Sequence, residues 1–158
     1  MLTICRDDRT ECWEKVTTVG TLHDLIHFVV EKQMGFSRGF YGLINEGHSI
    51  PDFERVREER PTELLPANLP MDSIQAEFIV GLIQAGMWDH SSPESILQTI
   101  QKVLAEKEIP LPAQLSLSRL AEILKEANDL ITQWQSIADN EELNLSLDLD
   151  SIKQKHES

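Results

Sequence analysis

Apolar residues recur at helical spacing in four stretches of this chain and at strand spacing in three. In the first helical stretch Leu22, Leu25, Ile26, Val29 and Val30 share one face. Thr21 stands where a cap is needed, Asp24 takes the third helical position as an acidic variant of the capping box, and Gly35 supplies the stop. A second helix is predicted from a cap at Asp72 to about Gly86, with Ile74, Phe78, Ile79, Leu82 and Ile83 inward. Ser92-Pro93-Glu94 starts a third, because proline is tolerated at the first helical position; its apolar face is Ile96, Leu97, Ile100, Val103 and Leu104, and Pro110 and Pro112 end it. The fourth and longest is predicted from Ser116 or Ser118 to about Ala138. Along it Leu117, Leu120, Leu124, Ala127, Ile131, Trp134 and Ala138 alternate steps of three and four. Such a seam packs against a neighbouring helix of the same chain or against a second copy, and the short loop before it favours the intramolecular hairpin.

The strand-like stretches lie at the two ends. Leu2–Arg6 and Glu11–Thr17 bracket the turn formers Asp7-Asp8-Arg9-Thr10, and an in-register hairpin would set Cys5 opposite Cys12. Leu143–Asp150 alternates apolar and polar residues without a break, the pattern of a half-buried strand. An isolated hairpin is marginally stable, so the late strand is expected to join it. The expected fold is therefore one α+β domain over residues 1–158: a small antiparallel sheet, made of the N-terminal hairpin plus the C-terminal strand, packed with four or five helices. About residues 151–158 are expected to form a frayed tail. Between the first and second helices, residues 35–47 are dense in glycine and aromatics and read as a short element anchored on the core. Residues 48–53 read as extended because Ile50 precedes a proline, and residues 54–70 as a connecting loop with a helical turn over Glu54–Glu59. Trp13, Trp88 and Trp134 read as core or core-edge residues.

Composition narrows the function classes. With 158 residues, 41% of them hydrophobic and 26% charged, the chain fits a soluble domain of ordinary size that needs no covalent staples. The formal net charge is −13, carried unevenly: eight basic against eleven acidic residues up to residue 61, then six against sixteen. Such a surface repels phosphate backbones and anionic headgroups, so neither nucleic acid nor a membrane surface is expected as a partner. Divalent cations or basic proteins suit it better. No apolar run approaches the roughly 20 residues that cross a bilayer. Met1–Arg6 lacks the charged start and apolar stretch of a signal peptide, and a cytoplasmic location is expected. Cys5 and Cys12 are too few for a disulfide framework and read as reduced, packed thiols.

Chemistry is concentrated in His23-Asp24-Leu25-Ile26-His27-Phe28-Val29-Val30-Glu31. Helical spacing puts His23, His27 and Glu31 on one stripe at the edge of the apolar face. Two histidines at i and i+4 can hold a divalent metal such as zinc. Eight residues of helix rise about 12 Å, so His23 and Glu31 cannot both hold one small ion. The pairs are His23 with His27, or His27 with Glu31, and a further ligand is required. His48 is the best placed, with His90 and Asp52 behind it. The H-E-x-x-H metalloprotease pattern is absent, since Asp24 follows the first histidine. Without metal, His27 between Asp24 and Glu31 could move protons. The plainest alternative is a pair of structural histidines at the boundary of a buried face. Arg38, among glycines and aromatics, is expected to pair with an acid. No P-loop or dinucleotide fingerprint is present, and Cys5, Cys12, Ser37 and Ser49 lack a recognisable catalytic context.

The histidine stretch, followed by Gly39-Phe40-Tyr41-Gly42-Leu43-Ile44, resembles a group of small uncharacterised bacterial proteins with an H-D-L-x-H-F-x-V-E signature and a G-F-x-G-L motif. The likeness covers about residues 1–53 and brings no activity with it. The leading expectation is a divalent-metal-binding protein with His23, His27, His48 and Glu31 as the candidate ligands, hydrolytic if an open coordination position remains. The rival expectation is an acidic interaction module or a homodimer through the Leu117–Ala138 seam. Neither the reaction nor the substrate is named by these residues.

Overall fold

A computed structural model describes residues 1–138 and 141–156. It begins with a hairpin of β1 (Leu2–Cys5) and β2 (Glu11–Glu14), antiparallel, with Ile4 opposite Cys12 and Cys5 opposite Glu11. The turn is a three-residue loop. The Arg9 amide donates to the Arg6 carbonyl and the Arg6 amide to the Thr10 carbonyl, both at 2.9 Å. Arg9 takes the left-handed conformation, φ 70°, that this loop demands of its last residue. The register is one position away from the pairing that would oppose the two cysteines. A one-residue slip reverses the face of every side chain, so Cys5 points outward, Cys12 is half-buried on the other face, and both thiols are free.

The central element is α1 (Thr18–Met34), and it starts one turn earlier than Thr21 predicts. Thr17 caps it, its hydroxyl accepting the Gly20 amide at 3.0 Å, while the Thr21 hydroxyl donates back to the Thr17 carbonyl. Gly35, at φ 70°, ends it as expected. Its buried face is Leu25, Ile26, Phe28, Val29, Val30 and Met34. Onto α1 pack α3 (Met71–Trp88) and α5 (Leu117–Ser136), and α4 (Pro93–Glu106) packs on both of these. Ile79, Val80 and Ile83 of α3, Ile96, Ile100 and Leu104 of α4, and Leu120, Ile123 and Ala127 of α5 close one apolar core with α1. Each fully buried aliphatic side chain stabilises by about 1.5–3 kcal/mol. Ser92 and Ser116 cap α4 and α5, each accepting an amide three residues on. In the gap after α1, α2 (Phe40–Asn45) is a short helix.

Four expectations need correction. First, α3 follows Pro70 without a side-chain cap, and Asp72 instead accepts the Arg38 amide at 3.0 Å. The helix is also rotated from the predicted face: Ser73, Ala76 and Val80 are buried with Ile79 and Ile83, whereas Ile74, Phe78 and Leu82 are half-buried. Second, among the described residues the sheet is the hairpin alone. Residues 141–148 form no regular element, and Leu149–His156 is a helix, α6, where the end of a strand and a frayed tail were expected. The Ser151 amide and hydroxyl both donate to the Asp148 carboxylate, fixing its first turn, and Leu149 and Ile152 are buried. Third, residues 50–53 form a 3-10 turn rather than an extended stretch, closed by reciprocal bonds between Ser49 and Asp52. Within 54–70 the helical turn is Thr62–Leu64, anchored by buried Leu64. Fourth, Trp13 and Trp88 are 63% and 56% exposed; only Trp134 is half-buried. The α5 seam turns into its own chain, where Leu120 and Ala127 are buried against α1 and α4. Among the described residues no helix is long and apolar enough to cross a membrane.

Candidate functional site

Glu31 is the hinge of the site. It sits on the last turns of α1 with no solvent exposure. Gly35 turns the chain so that the first amides of α2 face its carboxylate. Phe40 N–H donates to Oε1 at 2.9 Å and Tyr41 N–H to Oε2 at 3.1 Å. Free amides at a helix start are natural partners for a carboxylate. Gly39 makes this approach feasible, since a Cβ there would overlap the Glu31 carboxyl group. One turn back, His27 is 2% exposed and its Nδ1 lies 3.0 Å from Glu31 Oε1. The ring is therefore held at Nδ1, leaving Nε2 to face outward. Tyr41 locks the same corner by donating its hydroxyl to the Asp24 carbonyl at 2.8 Å.

His27 Nε2 lies 3.5 Å from Oε1 of Glu77, which comes from α3. His23, one turn earlier on α1, brings its ring centroid to 4.8 Å from that of His27, at 70°. Its Nδ1 is 3.1 Å from Gln84 Oε1. One donor atom from each of His23, His27 and Glu77 falls within 4.8 Å of the others. Donors around a tetrahedral zinc stand about 3.3 Å apart at bond lengths of about 2.0–2.1 Å, and the half-exposed Glu77 carboxylate can swing the remaining distance. The cluster opens on a cleft of about 420 Å³. Glu14, Asp24 and Glu54 line its polar side, and Phe40 and Phe53, with ring centroids 5.0 Å apart, its apolar side.

Burial sets the protonation of these groups. It pushes the Glu31 carboxyl up to about 8, against the Tyr41 and Phe40 amides that favour the anion. It pushes His27 down, against the nearby Glu77. The direction for the pair is thus neutral imidazole beside neutral carboxyl. Burial also raises Asp24 to about 6, with His23 opposing.

The structure brings His23 and His27 together and gives Glu31 a different place from a ligand: it holds the His27 ring from behind. A carboxylate on the far nitrogen of a metal-binding histidine is a common supporting contact. His48 does not join the cluster; its carbonyl accepts a guanidinium N–H of Arg6 at 2.9 Å. Asp52 is occupied by Ser49, and His90, beyond the end of α3, lines a separate groove. Arg38 pairs with Glu46 through two bonds of 2.8 Å. Glu77 escaped the sequence reading because nothing in a linear pattern links a polar position of α3 to a stripe of α1. Comparison with protein-family models, with curated proteins and with solved structures finds no match for this chain.

Proposed function

We propose that this is a cytoplasmic protein that binds a divalent transition metal, with zinc the best suited, through His23, His27 and Glu77. The observation that carries the reading is the convergence of three such donors within 4.8 Å beside a cleft, with the inner histidine held from behind by a buried carboxyl group. Two imidazoles and one carboxylate leave a fourth position for water, as in metal sites that hydrolyse. The cation would polarise that water, and Asp24, on the cleft wall, is placed to take up a proton. This supports a hydrolytic activity on a substrate small enough for the cleft. Self-association through the long helix has less behind it, because Leu120 and Ala127 of the seam are buried inside the chain.

Metal analysis after dialysis against zinc tests the reading. One equivalent is expected in the parent protein and less than a tenth of that in His23→Ala/His27→Ala, with a rise in melting temperature on adding zinc to the parent alone. Equal metal content in parent and variant would remove the proposal.

A further inference from the structure

The cleft beside the histidine cluster has walls of unequal charge. Four carboxylates line it, those of Glu14, Asp24, Glu54 and Glu77, against one lysine, Lys15. Lys15 is exposed and forms no ion pair among the described residues. A divalent ion on the cluster, together with Lys15, would still leave the lining formally negative. Glu14, on β2, and Asp24, on α1, stand near enough for the charge of Glu14 to bear on Asp24. Among the described residues neither carboxylate has a hydrogen bond or an ion pair. Oε2 of Glu14 is sealed from solvent, so a ligand meets that charge across space and not by a bond to that oxygen. Phe40 and Phe53, both half-buried, add an aromatic surface, their rings tilted by 53° at 5.0 Å. The Phe40 ring stands 5.6 Å from that of His27, so this surface adjoins the cluster. A buried polar side chain also lines the cleft. His27 is 2% exposed, and Glu77 Oε1, at 3.5 Å, is too far to give its Nε2 a good hydrogen bond.

We propose that the cleft binds a small organic cation, a primary ammonium group on an apolar body that lies against Phe40 and Phe53 with its charge toward Glu14 and Asp24. That this ligand is the substrate rests on the metal reading of the site; that it binds does not. Carboxylates and aromatic faces side by side favour a cation twice, through Coulomb attraction and through the negative face of each ring. The volume of about 420 Å³ suits a small molecule. Phosphate esters and carboxylates would meet the same walls as repulsion.

The probes are phenethylamine, a cation at neutral pH, and phenethyl alcohol, which has nearly the same shape without the charge. Both are titrated into ¹⁵N-labelled protein in the presence of EDTA, so that metal binding plays no part. The backbone amides of Gly20 and Phe53, at the cleft, are followed. Phenethylamine is expected to move both and to bind about tenfold more tightly than the alcohol. That advantage should shrink as salt is raised. Glu14→Gln/Asp24→Asn should bring the two probes to parity. Should that variant fail to fold, the salt series on the parent protein decides alone. Nα-acetyllysine amide, which imitates a lysine on a protein partner, should bind no better than the alcohol. Zinc content is measured apart, so a chain that takes the amine but no zinc overturns the metal reading and leaves the cation site standing. Equal affinities of amine and alcohol, an advantage indifferent to salt, an advantage that survives Glu14→Gln/Asp24→Asn, or a lysine analogue that binds more tightly than phenethylamine would each overturn the proposal.

Discussion

Two regions of this molecule are fastened to the same helix by different forces. From Met71 to Ser136, α3 and α5 meet α1, and α4 meets α3 and α5, through buried isoleucine, leucine, valine and alanine. On either side of α1, in Leu2–Glu14 and in residues 36–53, polar bonds from side chain to main chain are added to the burial of Phe36, Leu43, Ile44 and Ile50. Glu31 receives the amides of Phe40 and Tyr41. Arg6 donates to the carbonyls of Ile44 and His48 at 2.6 and 2.9 Å, tying the hairpin to α2. Tyr41 donates to the Asp24 carbonyl, and Asp72 accepts the Arg38 amide. An apolar contact is replaceable by another of similar volume. A polar contact to main chain is not, because removing one partner leaves the other buried and unmet. The candidate site lies where the two regions meet: His23 and His27 come from α1, Glu77 and Gln84 from α3, and Glu14 from the hairpin.

The comparison predicts unequal costs. Glu31→Ala should be the most damaging single change, at about 3–5 kcal/mol in urea unfolding, since it strands two amides and a histidine nitrogen at once. Ile100→Ala, deep in the helical region, should cost about 2–5 kcal/mol, near the middle of that range for a site enclosed by α3 and α5. The two should differ further in kind. Ile100→Val should recover most of the loss, whereas Glu31→Leu, of similar volume but without the two oxygens, should recover little. A Glu31→Leu protein as stable as the parent would mean that the polar fastening is ordinary packing.

Arg6→Ala should come next, at about 2 kcal/mol, the usual worth of hydrogen bonds from a charged donor. Its effect should be local. Amide hydrogen exchange should quicken in the hairpin and α2 while α3, α4 and α5 keep the protection of the parent. Uniform acceleration through the whole chain would show that the two regions open as one unit.

The same division decided what could be read from the sequence. In the helical region the 3.6-residue period, Ser92 and Ser116 as caps, and Pro93 at a first helical position located α4 and α5 almost to the residue, because apolar burial repeats and repeats are visible. The α+β class and the hairpin followed from local turn and strand chemistry. What failed was tertiary. The alternation from Leu143 to Leu149 matched a strand, but a strand needs an edge to pair with; here Leu147 packs on the helical core instead and Asp148 starts α6. Thr17 outcompeted Thr21 as a cap because only the tertiary setting decides between two equivalent threonines. At the site, the convergence of His23 and His27 was legible as a helical stripe. Glu31 was visible as a neighbour on that stripe but not as the acceptor of amides from residues nine and ten positions on, and Glu77 belonged to another helix altogether.

The smallest predicted effect is also the most discriminating, because it concerns protons. Burial holds the Glu31 carboxyl at about 8 in the folded protein against 4.5 in an ordinary setting. The folded state therefore keeps a proton that the unfolded chain gives up, and this contribution to stability is present below 4.5 and drains away as pH rises to about 8. His27 runs the other way. Its folded value lies below the ordinary 6.5, so the unfolded chain takes up a proton first, and stability is gained as pH rises toward 6.5. Below 6.5 His27 opposes Glu31 and Asp24, whose carboxyl burial raises to about 6; above 6.5 Glu31 acts alone. Metal-free protein should thus lose on the order of 1–2 kcal/mol between pH 6.5 and 8 in urea unfolding, at about 1.4 kcal/mol per pH unit at most. Glu31→Gln should flatten that decline. Zinc should raise stability throughout the same interval, because His27 is held neutral there and an ion bound by the folded chain alone stabilises it. Coincident curves for protein with and without zinc from pH 6.5 to 8 would mean that the cluster holds no ion, and that His23 and His27 serve only to seal the polar flank of α1.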